Sequence, residues 1–250
     1  PMGSLFQCLG TLVGQLQFLG VSVPAGARVL PAAAPSGLKL ELAGDSITCG
    51  FGNEAPDEKH HFTPLTENNT KAYGFLTARA LSADYHCIAW SGRKLWPDNT
   101  LPEVYGLALP TDPRSTWDLA SWVPDVIVIN LGTNDFGGAN PSEEPWVAAY
   151  RAFIARMRRR APRAHVICTI GPMMNDTWSR EQNALREVRR YVQRVVREAR
   201  EAGDARVQFL EFPSQTPADG YGADFHPSGA MHERMAAQLT SAIRALAIDR

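Results

Sequence analysis

The chain has 250 residues, 44% of them hydrophobic and 20% charged, enough for one large α/β domain plus an N-terminal extension. Lys plus Arg number 25 against 26 Asp plus Glu, so no net field is directed at nucleic acid or an acidic membrane surface. Four cysteines without C-x-x-C spacing argue against a disulfide scaffold and a zinc site.

The opening run SLFQCLGTLVGQLQFLGVSV is apolar, but it lacks basic flanks and is interrupted by three glycines. It reads as neither a signal peptide nor a membrane span. Residues 15–23 read as a strand, followed by a Pro/Ala linker, VPAGARVLPAAAPSG. Residues 1–37 are thus set apart as strand and linker, and residues 38–250 form the main domain.

In that domain Leu38, Leu40 and Leu42 alternate with Lys39 and Glu41, the period-2 pattern of a strand with one buried face. The run breaks at Gly44, and Ser46 follows. A polar loop, roughly 52–71, leads to a helix at 72–81 and a strand at 84–90 ending in SGR. After an irregular, proline-bearing region, Pro124 introduces VIVIN, a fully apolar run suited to a central parallel strand, which ends in LGTND.

Residues 146–160 place Val147, Tyr150, Phe153, Ile154 and Met157 on one helical face. Arg156, Arg158, Arg159 and Arg160 at its end read as a solvated cluster complementing the helix dipole. A strand is expected at 165–170. Ser179 with Gln182 makes a capping box for a long helix striped by Leu185, Val188, Val192, Val195 and Ala199. A short strand at 207–210 and a helix at 228–248, with Met231, Met235, Leu239 and Leu246 inward, complete the chain. Cys87 and Cys168 fall in strand-like runs, where an inert buried thiol is expected. Five strands alternating with helices predict a parallel sheet covered on both faces, with ligands bound beyond the carboxyl ends of its strands.

Ser46, Gly92 and Asn134 each lie just after a predicted strand and so converge on one crevice. Ser46 is placed as a nucleophile and His226 as its base. The backbone N–H groups of Ser46 and Gly92 and the Asn134 amide are placed as oxyanion donors. Asp45 and Asp135 read as loop anchors. Asp224, two residues before His226, reaches the imidazole if the segment is extended, as Pro227 favours; a backbone carbonyl is the alternative orienter. Trp178 and Phe225 either offer platforms to a sugar ring or line the core. His60, His61 and His232 lack metal-ligand spacing, so no metal and no cofactor is expected.

GDS at 44–46, Gly92, GTND at 132–135 and DFHP at 224–227 resemble the four blocks of the SGNH (GDSL) hydrolases. The longer runs GDSITCGFGNE, WSGR, TWDLASWVPDVIVINLGTNDF and ADFHPS resemble carbohydrate esterase family 2, acetyl esterases acting on plant polysaccharides. The resemblance implies an SGNH-hydrolase-like three-layer α/β/α sandwich with a central five-stranded parallel sheet. It implies removal of O-acetyl groups from carbohydrate through an acyl-enzyme, with no nucleic-acid or membrane partner. A lipase or thioesterase acting on longer acyl chains, or a non-catalytic carbohydrate-binding module, are the competing readings. The resemblance also implies secretion, with a cytoplasmic location as the alternative.

Three departures stand out. SGNH enzymes usually carry the aspartate three residues before the histidine, where this chain has Ala223; family 2 shares that departure. The segment also lacks the last glycine of G-x-S-x-G, against an α/β-hydrolase elbow. Family 2 enzymes usually carry a preceding β-sandwich, which 37 residues cannot build. The N-terminal strand is therefore expected to pair onto the main domain or another subunit, leaving oligomeric state open.

Overall fold

The computed structural model describes residues 19–30, 37–177 and 182–248. Five strands form one parallel sheet: β1 (Lys39–Gly44), β2 (Asp84–Ala89), β3 (Val126–Asn130), β4 (His165–Ile170) and β5 (Val207–Glu211), in the order β2-β1-β3-β4-β5. The helices are α1 (Ser46–Cys49), α2 (Tyr73–Leu81), α3 (Leu101–Val104), α4 (Glu143–Arg160), α5 (Ala184–Glu201) and α6 (Gly229–Arg244). The chain moves outward from β1 to β2 and then returns to the other side of β1 at β3. That reversal opens a crevice beyond the carboxyl ends of β1 and β3.

The buried strand β3 serves both faces of the sheet. Ile127 and Ile129 pack in the core that includes α4 and α5, whereas Val126 and Val128 pack with residues of α2 and α6. Period-2 alternation therefore persists within a wholly apolar run, each face filling a different core. Val147, Tyr150, Phe153, Ile154 and Met157 of α4 are all buried, as their spacing predicts. Among the described residues no helix is long and apolar enough to cross a membrane.

Four expectations are corrected. Residues 19–23 form no strand, and Leu19 and Val21 are exposed; residues 15–18 lie outside the described residues. Helix α5 begins at Ala184, with Asn183 as its N-cap in the left-handed region (φ 48). Gln182 closes no capping box there: its side chain donates to the Phe136 carbonyl at 2.6 Å, and Ser179 lies outside the described residues.

The other two corrections concern β1 and the arginine cluster, and they share a cause. Strand β1 is flanked by strands on both edges and by helices on both faces, so Glu41 is 1% exposed instead of facing water. A buried carboxylate needs a partner. Arg160, at the end of α4, donates to Glu41 Oε2 at 2.5 Å and to the Tyr105 hydroxyl at 2.9 Å, and Tyr105 donates to the same carboxylate. Arg158 grips Asp204 at 2.6 and 3.0 Å, and Arg156 donates to the Pro102 carbonyl at 2.7 Å. Of the four arginines only Arg159 is exposed.

Glu41→Ala leaves the Arg160 guanidinium buried without its counter-charge and should cost about 3–5 kcal/mol in urea unfolding. Replacing the pair together, Glu41→Leu with Arg160→Met, should recover most of that loss. A single-variant cost below about 1 kcal/mol would show that the pair is solvated in solution.

Candidate active site

Glycine is required at the end of β1 because a Cβ on Gly44 would lie 2.0 Å from Thr48 Oγ1. This close approach lets α1 start at once. Asp45 is its N-cap, accepting from the Ile47 N–H at 3.0 Å, and Ser46 is the first helical residue. The helix lasts only four residues, ending at Gly50 in the left-handed region (φ 87). Ser46 is 7% exposed. Burial above all pushes the Asp45 carboxyl up to about 7.

His226 arrives from the opposite end of the sequence. Its Nε2 lies 2.9 Å from Ser46 Oγ, and its Nδ1 lies 3.2 Å from the Ala223 carbonyl oxygen. A carbonyl only accepts, so Nδ1 carries the proton and Nε2 is left to receive the serine proton. Phe51 packs against the ring at 4.1 Å, and Phe62 stacks on Phe51 at 4.3 Å. Burial pulls the imidazole below the ordinary histidine range, partly opposed by the carbonyls of Ala223 and Asp224 and, last, by the Asp224 charge.

The structure does not bring Asp224 onto His226. Pro227 does hold His226 extended (φ −71, ψ 164), but residues Ala223–Phe225 form a 3₁₀ turn in which Asp224 (φ 51, ψ 40) is left-handed. Phe225 (φ 62) is also left-handed. An extended segment would aim residues 224 and 226 to one side; this turn swings the carboxylate away. It accepts instead from the Phe62 N–H at 3.0 Å and pairs with His61 Nδ1 at 2.8 Å. Each left-handed non-glycine residue costs on the order of 1 kcal/mol or more, least for Asp and Asn.

The third segment follows β3. Asn134 Nδ2 donates to the Arg93 carbonyl at 3.0 Å and lies 3.4 Å from Asp45 Oδ2. One amide thus bridges the residue before Ser46 and the residue after Gly92. Gly92 needs to be glycine because its φ is +79; its carbonyl accepts from Asn99 Nδ2 at 3.1 Å. Asp135 anchors the neighbouring loop, taking the N–H groups of Leu95 (3.0 Å) and Trp96 (2.9 Å) and the Trp146 Nε1–H (2.8 Å).

Phe225 is 58% exposed beside His226, in edge-on contact with Tyr221 at 5.6 Å, so it does not line the core. Trp178 lies outside the described residues. Sequence reasoning missed Phe51, Phe62 and the contact of His61 with Asp224, and its alternative of a backbone carbonyl as orienter is met by Ala223, a position it did not name. Phe51 and Phe62 flank or lie within a stretch that reads only as a polar loop, and a carbonyl leaves no mark in sequence.

The sequence profile of the GDSL-like Lipase/Acylhydrolase family matches residues 42–234. The chain is 41% identical over 238 residues to "Cellulase/esterase CelE" of Acetivibrio thermocellus, an alignment covering 93% of this chain and 28% of that protein. It is 30% identical over 229 residues to an "Acetylxylan esterase / glucomannan deacetylase" of Cellvibrio japonicus, covering 88% of this chain and 60% of that one. The chain therefore spans only part of the length of these curated relatives. A family two carbohydrate esterase from Clostridium thermocellum, solved with cellohexaose, superposes with a TM-score of 0.81 at 41% identity, covering 87% of this chain and 66% of that one. A carbohydrate esterase family 2 enzyme with a carbohydrate binding domain, from Corynascus thermopiles (Myceliophthora fergusii), gives 0.78 at 32% identity, covering 86% and 68%. The chain belongs to the GDSL-like lipase/acylhydrolase family and, within it, to carbohydrate esterase family 2.

Proposed function

We propose that residues 38–250 form a secreted serine esterase domain that removes O-acetyl groups from plant-type polysaccharide or its oligosaccharides. The observation that carries this reading is the 2.9 Å contact between Ser46 Oγ and His226 Nε2 at the carboxyl ends of the strands. Support for the substrate comes from the names of the relatives, which include acetylxylan, glucomannan and a cellohexaose complex.

In this reading Ser46 Oγ attacks the acetyl carbonyl while its proton passes to His226 Nε2. The backbone N–H groups of Ser46 and Gly92 receive the negative charge on the carbonyl oxygen, joined by the Asn134 N–H that exchanges its long 3.4 Å contact with Asp45 for the oxyanion. When the tetrahedral adduct collapses, the C–O bond to the sugar breaks and His226 returns the proton to the sugar oxygen. Water then adds to the acetyl-Ser46 ester, giving its proton to His226. Acetate leaves and Ser46 regains its hydrogen. Phe225 offers an exposed ring beside this centre for a sugar face, and Trp178 is proposed for the same role.

The direct test is acetate release from acetylated xylan, glucomannan and simple sugar acetates. Ser46→Ala should abolish it while leaving the melting temperature close to wild type, and turnover at the wild-type rate by a folded Ser46→Ala protein would overturn the assignment. A p-nitrophenyl ester series should favour acetate over long acyl chains.

Asn134→Ala should lower kcat by about 10²–10³ with little change in KM, because the amide acts on charge that develops only in the transition state. A pure KM effect would make it a substrate-positioning residue.

The pH profile follows from the burial of His226. Only the neutral imidazole accepts the serine proton, so activity is present above its pKa and is lost as pH falls through it. Because burial depresses that value, the acidic limb of kcat/KM should fall below the unperturbed histidine value of about 6.5. A limb at or above that value would mean that water reaches the ring.

A further inference from the structure

The carboxylate of Asp224 is spent on the loop facing His226. Four contacts join this loop to the turn. Ala223 N–H donates to the Gly52 carbonyl at 3.0 Å, and Asp224 N–H donates to the His60 carbonyl at 3.1 Å. Asp224 Oδ2 accepts from Phe62 N–H at 3.0 Å, and Oδ1 pairs with His61 Nδ1 at 2.8 Å. The last pair contributes little, since the His61 side chain is 93% exposed and screened by water. The bond from Phe62 differs: a carboxylate accepting a backbone N–H is charge-assisted, and it costs no rotamer freedom on the donor side.

The Phe62 bond also bears on the imidazole. Phe62 stacks on Phe51 at 4.3 Å with their planes 24° apart, and Phe51 packs on the His226 ring at 4.1 Å. The imidazole is thus fixed by Ser46 on one edge, by the Ala223 carbonyl on the other, and by two aromatic rings in series against one face. The outer ring is held in register by Asp224, which is only two residues from His226. We propose that Asp224 is a positioning residue, acting through Phe62 and Phe51 to hold the His226 ring on Ser46. The proposal rests on the reading of His226 as the catalytic base.

The chemistry at residue 224 separates this role from that of a triad member. Its left-handed backbone (φ 51, ψ 40) suits Asp and Asn but not Ala. Asparagine also keeps an oxygen that accepts from Phe62 N–H, and loses only the charge. A carboxylate acting on the imidazole would need that charge: its loss costs about 10⁴ in kcat where a triad operates. A carboxylate acting as a clamp needs only the acceptor. The Asp224 charge opposes the burial of the imidazole only as the smallest cause, so Asp224→Asn should move the acidic limb slightly lower, while His232 on α6 is held neutral down to about 3 by burial.

The experiment measures kcat, KM and the pH dependence of kcat/KM for acetate release by the whole chain, with melting curves to establish folding. Asp224→Ala and Phe62→Ala should lower kcat by roughly 10- to 100-fold with KM within about twofold, since a base displaced by about 1 Å loses about that much. Asp224→Asn should recover to within about threefold of wild type. Phe51→Ala, which lets water onto the ring, should also move the acidic limb upward towards about 6.5. If Phe51→Ala fails to fold, Phe51→Leu keeps the apolar cover and should show the kcat loss with a smaller shift of the limb. Asp224→Asn as damaging as Asp224→Ala would overturn the proposal in favour of direct electrostatic action on His226. Wild-type kcat with an unmoved limb in Phe62→Ala would overturn it as well. A His226→Ala protein that retains activity would instead remove the base reading itself.

Discussion

Three N–H groups converging on one buried carboxylate hold the carboxyl end of the sheet together. Asp135 leaves β3 and takes donors from Leu95, Trp96 and Trp146. The first two belong to the loop that carries Gly92, and the third to α4. Their relative placement is therefore set by one side chain, and the adjacent Asn134 amide is aimed at Arg93 and Asp45 as a result. Burial raises the pKa of Asp135 while the donors pull it down. Asp45 is pushed up to about 7 by burial, with Asp135 adding to the rise. Near neutral pH the two carboxyl groups thus carry less than two full negative charges, which in the proposed reaction lessens repulsion of charge on an oxyanion beside Asn134.

Beneath this layer a second polar network fixes the helix that carries Ser46. Thr48 Oγ1 lies 3.0 Å from the Tyr73 hydroxyl, which also accepts from Asn130 Nδ2 at 3.2 Å. The Tyr73 N–H donates to His232 Nδ1 at 3.2 Å. Helix α1, the end of β3, the start of α2 and the first turn of α6 therefore meet at one tyrosine. Burial drives His232 down to about 3, so its ring stays neutral and Nδ1 remains an acceptor across the working pH range. A four-residue helix has no stability of its own. Its geometry is supplied by these contacts, which hold the serine hydroxyl where the histidine arrives.

Much of this arrangement was legible because the information is local. VIVIN is a run of the kind found in an interior strand, and the segments after β1, β2 and β3 are brought to one crevice by the βαβ pattern. What escaped depends on partners far along the chain. Glu41 reads as a solvent-facing residue until Arg160, 119 positions away, is placed against it. The Asp224 carboxylate goes to Phe62, 162 positions away, and the backbone at Asp224 turns left-handed in the same contact. Two-residue spacing on an extended strand supports a triad; the same spacing across a left-handed turn does not. Ser179 and Gln182 match a capping pattern for α5, yet the Gln182 side chain donates to the Phe136 carbonyl.

Orienting the base with a carbonyl instead of a carboxylate changes the acid–base balance of the proposed reaction. The Ala223 carbonyl at 3.2 Å fixes the tautomer as a carboxylate would, but a dipole stabilises the imidazolium less than a full charge does. Burial then dominates and His226 titrates low. A base of lower pKa is weaker at removing the serine proton, yet its conjugate acid is stronger at protonating the departing oxygen. A sugar hydroxylate is a poor leaving group, so the second effect bears on the step where the C–O bond breaks. In the proposed reaction the aromatic cover on one face of the imidazole, by adding to its burial, favours passage of its proton to the leaving sugar.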